Sequence, residues 1–208
     1  MNGMSESFSI SGAARRHAMA ACLACLAPGL AFAGPPSAPA SAPVVDAAKS
    51  EIGFVSHQMG VPVAGKFTRF DAQILFDPAA PEKGRFLIKV DIGSVSLPTS
   101  DAMREVVKPE WFNTPKFPSA QFESSAIHAR DKQHLDIAGR LTIKGRSEDV
   151  MVPVALEQSG PATTASGTIT VKRLAFSIGE GDWTDTSTVA DEVQIKFRLV
   201  LTGVGPLR

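Results

Sequence analysis

Residues 135–156 read LDIAGRLTIKGRSEDVMVPVAL, and this stretch decides the fold. Apolar side chains alternate with polar or small ones before and after the turn at Lys144-Gly145-Arg146. A period of two places successive side chains on opposite faces of a strand. The stretch therefore predicts two antiparallel strands with one apolar and one polar face.

The same alternation continues from Glu51 to the end of the chain and is interrupted by Gly, Pro and charged turn signals. It predicts eight strands, near residues 51–57, 63–77, 85–96, 119–128, 133–144, 148–157, 165–176 and 191–203. Eight strands with one apolar face each need a cover that a single short helix cannot supply. The sheet must curl on itself or split into two layers. We expect an all-β, eight-stranded antiparallel barrel.

One segment, residues 99–117, departs from this pattern. Its first part, Thr99–Lys108, opens with capping residues and continues with Met103, Val106 and Val107 at helical spacing. It predicts a short helix between the third and fourth strands, followed by an aromatic loop that contains Trp111. The segment suits a lid anchored by Trp111 and equally suits simple packing at the end of the barrel.

The N-terminal residues have the three-part layout of a secretory signal peptide. Arg15-Arg16-His17 are positive, Ala18–Leu30 are apolar, and Ala31-Phe32-Ala33 form a small-residue cleavage site. We expect cleavage after Ala33, a Pro/Ala-rich linker over 34–44, a folded domain over 45–208 and export to the periplasm.

Composition excludes several functional classes. The 208 residues carry 21 basic and 21 acidic side chains, without the basic excess of a typical nucleic-acid binder. Both cysteines, Cys22 and Cys25, fall within the predicted signal peptide, so the folded domain has no thiol chemistry. It holds three histidines, His57, His128 and His134, without a metalloprotease spacing. A binding module without catalytic residues, metal or cofactor is favoured, and an enzyme using His57 or the His128/His134 pair is the weaker alternative.

Five segments in order resemble the YceI-like family, whose members are exported lipocalin-like proteins that bind polyisoprenoids and related lipids. The resemblance covers residues 45–203. The segments are Ser50–Phe54 with Gln58–Phe67 and Phe70–Pro78, Trp111-Phe112 with Phe117-Pro118 and Phe122, Gly139–Gly145, Lys172–Gly179, and Val189–Val193.

The resemblance implies an extended barrel with an apolar tunnel, although the same alternation would also suit a closed barrel filled with aromatic rings. Fifteen side chains are candidates for the tunnel and lid: Phe54, Phe67, Phe70, Phe76, Phe86, Ile88, Val90, Met103, Val107, Trp111, Phe112, Phe122, Leu141, Ile143 and Phe197. Candidate head-group contacts are Gln58, Arg173 and Asp185.

The implied function is that of a periplasmic binding or carrier protein for an isoprenoid-tailed lipid, either a quinone or a polyprenyl phosphate. Gln58-Met59-Gly60-Val61-Pro62 stands where many members have a His, an apolar residue and Gly. This form resembles a branch often found alongside membrane di-haem cytochromes. It implies an alternative role as an accessory subunit that docks on such a cytochrome without obligatory lipid. The chain also allows a homodimer, and a nucleic-acid partner is not expected.

Overall fold

A computed structural model describes residues 42–207, so the predicted signal peptide, its cleavage site and most of the linker lie outside the described residues. The described residues form eleven β-strands, one α-helix and five short 3-10 helices. The strands and the helix are β1 Val44–Val45, β2 Glu51–Gln58, β3 Val61–Phe67, β4 Phe70–Leu75, β5 Arg85–Asp91, β6 Val95–Ser96, α1 Ser100–Val106, β7 Ser119–Ala129, β8 His134–Ile143, β9 Arg146–Ser159, β10 Ala162–Lys172 and β11 Glu192–Thr202.

All eleven strands belong to one antiparallel sheet. Its order is β4-β5-β7-β8-β9-β10-β11-β2-β3-β6, and β1 pairs with β11. Most neighbours in the sheet are also neighbours in the chain, since hairpin turns connect the long strands. The predicted all-β antiparallel barrel is confirmed.

Two bent strands close the barrel. β3 runs into β4 through Thr68-Arg69, and β5 runs into β6 through a 3-10 turn at Ile92–Ser94. The first bent strand pairs with β2 along its first half and with β5 along its second half. The two edges of the sheet are therefore joined through the chain itself. These two bends, together with the short β1, account for eleven strands where the sequence predicts eight.

One predicted strand boundary is wrong. The sequence predicts a strand over 165–176, but β10 ends at Lys172 and Arg173–Phe176 form a 3-10 helix. Phe176 is 1% exposed and Arg173 is 3% exposed, so both side chains turn into the protein. Because the guanidinium of Arg173 binds carbonyls of the following loop, the chain turns back instead of extending.

The predicted short helix is confirmed as α1. Its N-cap is Thr99, whose hydroxyl accepts a hydrogen bond from the backbone N–H of Ala102 at 3.2 Å. An N-cap oxygen satisfies one of the backbone donors left free in a first helical turn. This cap fixes where the helix begins above the barrel.

The buried core divides into two clusters along the barrel. One is centred on Leu135, Ile137 and Leu201, and the other on Phe176, Ile178 and Ile143. The second cluster lies at the end of the barrel that carries the β2–β3 and β8–β9 turns, which we call the mouth end. Several aromatic side chains between the clusters, among them Phe54 and Phe197, are only partly buried because they border internal space.

Candidate functional site

An apolar cavity of about 490 Å³, the large chamber, occupies the mouth end of the barrel. Side chains from both halves of the sheet, from α1 and from the loop before β11 form its wall. Ligand pockets for small molecules commonly have this size and an apolar lining with few polar groups. Apart from tryptophan, the polar members of the wall are Ser56, Gln58, Asp101, Glu105 and Arg173.

A second cavity of about 120 Å³, the small chamber, lies deeper in the barrel. The two chambers have five wall residues in common: Ile52, Val90, Ala120, Leu141 and Ile195. These residues form a neck between the chambers. The barrel interior is therefore hollow over both chambers, and Gln121 is the one polar residue that the range 42–207 contributes to the wall of the small chamber.

The large chamber opens to solvent between the β2–β3 turn and α1. Of its wall residues, Gln58 and Asp101 are the exposed ones. Asp101, Ala102, Glu105 and Val106 of α1 border the chamber. This spacing places one helical face over the opening.

The carboxylates on that helical face have cationic partners on α1 and just after it. Asp101 pairs with Arg104, and Glu105 pairs with Lys108. Neither cation borders the chamber. Of the charged residues in these two pairs, the acidic ones therefore border the chamber and the basic ones do not.

The structure brings most of the predicted tunnel residues to the chambers. Phe54, Phe67, Trp111, Phe112 and Ile143 border the large chamber, Phe86, Ile88, Phe122 and Phe197 border the small one, and Val90 and Leu141 border both.

Four predicted residues border neither chamber. Phe76 is buried in the core with its ring centroid 5.9 Å from that of Phe86, and Phe70 packs against the same cluster. Met103 and Val107 are half-buried and stand outside the chamber wall. The orientation of α1 explains why Met103 and Val107 lie outside the wall. The helical face over the opening carries Ala102 and Val106, each one residue before a predicted position.

Arg173 borders the large chamber, but its donors are already taken. Its five guanidinium N–H groups donate to five backbone carbonyls at 2.6 to 3.3 Å. Burial lowers the pKa of Arg173, while the nearby Asp191 carboxylate raises it. The residue holds the loop 178–190 in place, and its N–H groups are not free for a lipid head group.

Asp185 also has a local role. Its carboxylate accepts hydrogen bonds from the backbone and hydroxyl of Ser187 and from the hydroxyl of Thr188. The bonds from Ser187 lead the causes that lower the pKa of Asp185. Asp185 is exposed and does not border the large chamber. Of the three predicted head-group residues, Gln58 is the one whose side chain stands at the opening.

The two tryptophans of the chain meet in the wall of the large chamber. The ring centroids of Trp111 and Trp183 lie 5.3 Å apart, and the guanidinium carbon of Arg173 lies 6.0 Å from the Trp111 ring. Trp183 was not predicted as a wall residue, since its acidic, glycine-rich segment is typical of a solvated turn. An aromatic residue within such a segment is the signal that could have identified it.

Lys144 connects the β8–β9 turn to the segment 177–180 at the mouth end of the barrel. It occupies the β8–β9 turn, its side chain is 5% exposed, and its ammonium donates to the Ser177 carbonyl at 2.6 Å and to Glu180 at 2.8 Å. The hydrogen bond from Lys144 is the main cause that lowers the pKa of Glu180. The backbone N–H groups of Gly179 and Glu180 donate in turn to the Glu110 carbonyl. These hydrogen bonds connect three segments beside the chamber: the β8–β9 turn, the segment 177–180 and the loop at Glu110.

Two further properties concern residues 42–207. Within that range, no three His, Cys, Asp or Glu side chains are arranged to hold a metal ion. His134 instead pairs with Asp131 at 2.8 Å, and His128 stands opposite Asp136 across β7 and β8. No helix in the same range has both the length and the apolar character needed to span a membrane.

A curled antiparallel sheet around an apolar chamber defines the chain as a lipocalin-like barrel. The family model described as "YceI-like domain" matches residues 44–201. The chain belongs to this family.

Solved structures and curated relatives show the same likeness. Burkholderia cenocepacia BcnA is 44% identical, with a TM-score of 0.74 over 76% of this chain and 99% of that one. A polyisoprenoid-binding domain from Saccharophagus degradans is 16% identical, with a TM-score of 0.63 over 77% of this chain and 98% of that one. An Azotobacter vinelandii UPF0312 protein is 30% identical over 62% of this chain and 69% of its own length. The chain spans about half the length of several other curated relatives.

Proposed function

We propose that this protein binds a lipid with an isoprenoid tail inside the barrel and carries it through the periplasm. One observation carries the proposal: the large chamber is apolar, hollow and open at one end. Membership of the YceI-like family supports it, as does the fold shared with a domain described as polyisoprenoid-binding.

The tail supplies most of the binding free energy in this proposal. Each buried CH₂ group contributes about 0.8 kcal/mol, so an isoprene unit offers about 3 to 4 kcal/mol before entropic costs. A neutral hydrogen bond to the head group adds about 1 kcal/mol. The chamber walls set affinity, and the amide of Gln58 at the opening orients the head group. A quinone and a polyprenyl phosphate share the tail that the chamber would hold.

The first experiment examines protein purified from the periplasm of the producing cell. Native mass spectrometry before and after solvent extraction should show a bound lipid that the extraction removes. Delipidated protein should then bind added isoprenoid quinone or polyprenyl phosphate in calorimetry. Absence of a co-purified lipid, together with no binding of either compound, would contradict the proposal.

Two variants of β7 make the experiment specific to the chamber. Ala120 stands at the neck between the chambers, whereas Ala129 is exposed on the same strand. Ala120→Phe places a ring inside the lumen and should weaken lipid binding at least about tenfold, the equivalent of roughly two CH₂ contacts. Ala129→Phe adds the same ring outside and should bind as the wild type does. Equal affinities in both variants would place the lipid outside the barrel.

Docking on a membrane di-haem cytochrome stays a prediction from the family resemblance, and homodimerisation stays a prediction of its own. A pull-down from detergent-solubilised membranes and sedimentation at several protein concentrations would examine them.

A further inference from the structure

Three phenylalanines along the lumen lie over glycines of a neighbouring strand. Phe54 of β2 stands directly across from Gly65 of β3, and Phe197 of β11 stands directly across from Gly167 of β10. Phe122 of β7 packs diagonally over Gly139 of β8, which pairs with Ser124, two residues further along β7. All three rings border a chamber: Phe54 the large one, Phe122 and Phe197 the small one.

The rings occupy the space that a side chain on each glycine would need. A Cβ built on Gly139 would lie 2.6 Å from the Phe122 ring and equally close to the Glu123 carbonyl. A Cβ on Gly167 would lie 2.6 Å from the Phe197 ring and closer still to the Pro153 carbonyl. A Cβ on Gly65 would collide with the Phe54 ring and would lie 2.8 Å from a methyl group of Leu97. Real Cβ atoms do not approach other atoms so closely, and none of these three glycines has a positive φ. They are therefore required for space rather than for backbone conformation.

This arrangement keeps the barrel hollow. A strand residue that faces the interior normally directs its side chain toward the barrel axis, and an eight-stranded barrel is narrow enough for side chains to fill. Because each ring lies against the wall over a glycine, the centre is left open. The small chamber then has a volume of about 120 Å³.

We propose that these phenylalanine–glycine pairs set the bore of the lumen and that the small chamber, beyond the Ala120 neck, receives the far end of the hydrocarbon tail. The inference rests on the proposed lipid binding and deepens it. The ligand class it names is an isoprenoid tail long enough to fill the large chamber and pass the neck. Tail length is selected in the small chamber, while the head group stays at the opening.

The experiment measures the affinity of delipidated protein for prenyl alcohols that have the same head group and two, three or four isoprene units. In the wild type, each added unit should increase affinity at least about tenfold until the tail reaches the end of the small chamber. Ala165→Leu fills the small chamber, because Ala165 borders that chamber and not the large one. It should weaken binding of the longest alcohol about tenfold and leave the shortest unchanged.

Gly65→Ala examines the bore itself, since the nearest neighbours of its new methyl group are the Phe54 ring and Leu97. Displacement of these side chains into the large chamber should weaken all three alcohols. The double variant Gly65→Ala/Phe54→Leu removes the displaced ring and should recover most of the loss. A circular dichroism melt of each variant separates a change in the lumen from a failure to fold.

The outcomes distinguish this inference from the proposed function. If no alcohol binds the wild-type protein, lipid binding itself is wrong. If the alcohols bind but Ala165→Leu weakens short and long tails equally, the small chamber does not receive the tail end. If Gly65→Ala loses no affinity, or if Phe54→Leu fails to restore it in a folded double variant, the ring–glycine pairs do not set the bore.

Discussion

The hydroxyl of Ser94 accepts a hydrogen bond from the backbone N–H of Arg69 at 3.0 Å, and the two residues are 25 positions apart in the chain. The same hydroxyl donates to the Asp91 carbonyl at 2.7 Å. Ser94 is 5% exposed and lies in the turn that bends β5 into β6, while Arg69 lies in the bend between β3 and β4. One buried side chain therefore joins the two bends that close the barrel.

Ser94→Ala should destabilise the protein by about 1 kcal/mol, because the N–H of Arg69 loses its acceptor in a part-buried place. Urea unfolding at neutral pH measures the loss. Ser159→Ala, at an exposed position at the end of β9, is the control and should change stability by less than about 0.5 kcal/mol. Equal stabilities of the two variants would mean that the corner does not depend on this hydroxyl.

Arg173→Lys should lower the free energy of unfolding by about 2 to 4 kcal/mol. An ammonium has three donors, so at least two of the five carbonyls that Arg173 satisfies would lose a partner. The matched control is Arg140→Lys, since Arg140 is exposed and pairs with exposed Asp149. A variant as stable as the control would show that the buried guanidinium does not hold the loop.

Acid should weaken the Lys144–Glu180 pair. The hydrogen bond from Lys144 holds the pKa of Glu180 below its ordinary value. A carboxyl group with a lowered pKa in the folded state stabilises the protein above its ordinary pKa, and the stabilisation is lost as the pH falls through the lowered value. Glu180→Gln should therefore melt at a lower temperature than the wild type at pH 7, and the difference should shrink at acidic pH as the pH falls through the lowered pKa of Glu180.

The control for that titration is Glu148→Gln, at an exposed position of β9. Its melting temperature should follow that of the wild type at pH 7 and at acidic pH. A difference between wild type and Glu180→Gln that persists in acid would assign the effect to packing rather than to charge.

Two hairpin glycines separate backbone strain from packing. Gly160 has a φ of +57° and nothing within 4 Å of a Cβ, whereas Gly145 has a φ of +73° and the Phe117 ring within 2.8 Å of its Cβ. Gly160→Ala should cost about 1 kcal/mol from strain alone. Gly145→Ala should cost about 2 to 3 kcal/mol, because the ring must move as well. Chemical unfolding of both variants tests this order, and similar losses would exclude a contribution from Phe117.

Alternation was sufficient to predict the sheet because a period of two reports directly on which face is buried. It places Leu141 and Ile143 on an inner face, and both border the large chamber. The prediction of two unbroken strands passes over the bends at Thr68-Arg69 and Ile92–Ser94, although the apolar pattern changes phase there, from Phe67 to Phe70 and from Ile92 to Val95. The bends depend on hydrogen bonds between residues distant in the chain, which local periodicity does not record.

The candidate site was less accessible to sequence reasoning. A hollow barrel and a filled one have the same alternation, and the difference lies in whether a ring such as Phe197 points inward or lies over Gly167. The pairing register between two strands sets that choice, and the register is a property of the fold. The five carbonyl partners of Arg173 could not be predicted for a related reason, since they come from a loop whose path the sequence does not reveal.

The meeting of Trp111 with Trp183 has a practical consequence. The chain has these two tryptophans and no tyrosine, and both indoles border the large chamber. The intrinsic emission of the protein therefore originates in the wall of the chamber that the lipid would occupy. Tryptophan fluorescence can therefore report how much ligand the chamber holds and how fast the ligand binds. The unmodified protein suffices, without an apolar dye that would itself compete for the chamber.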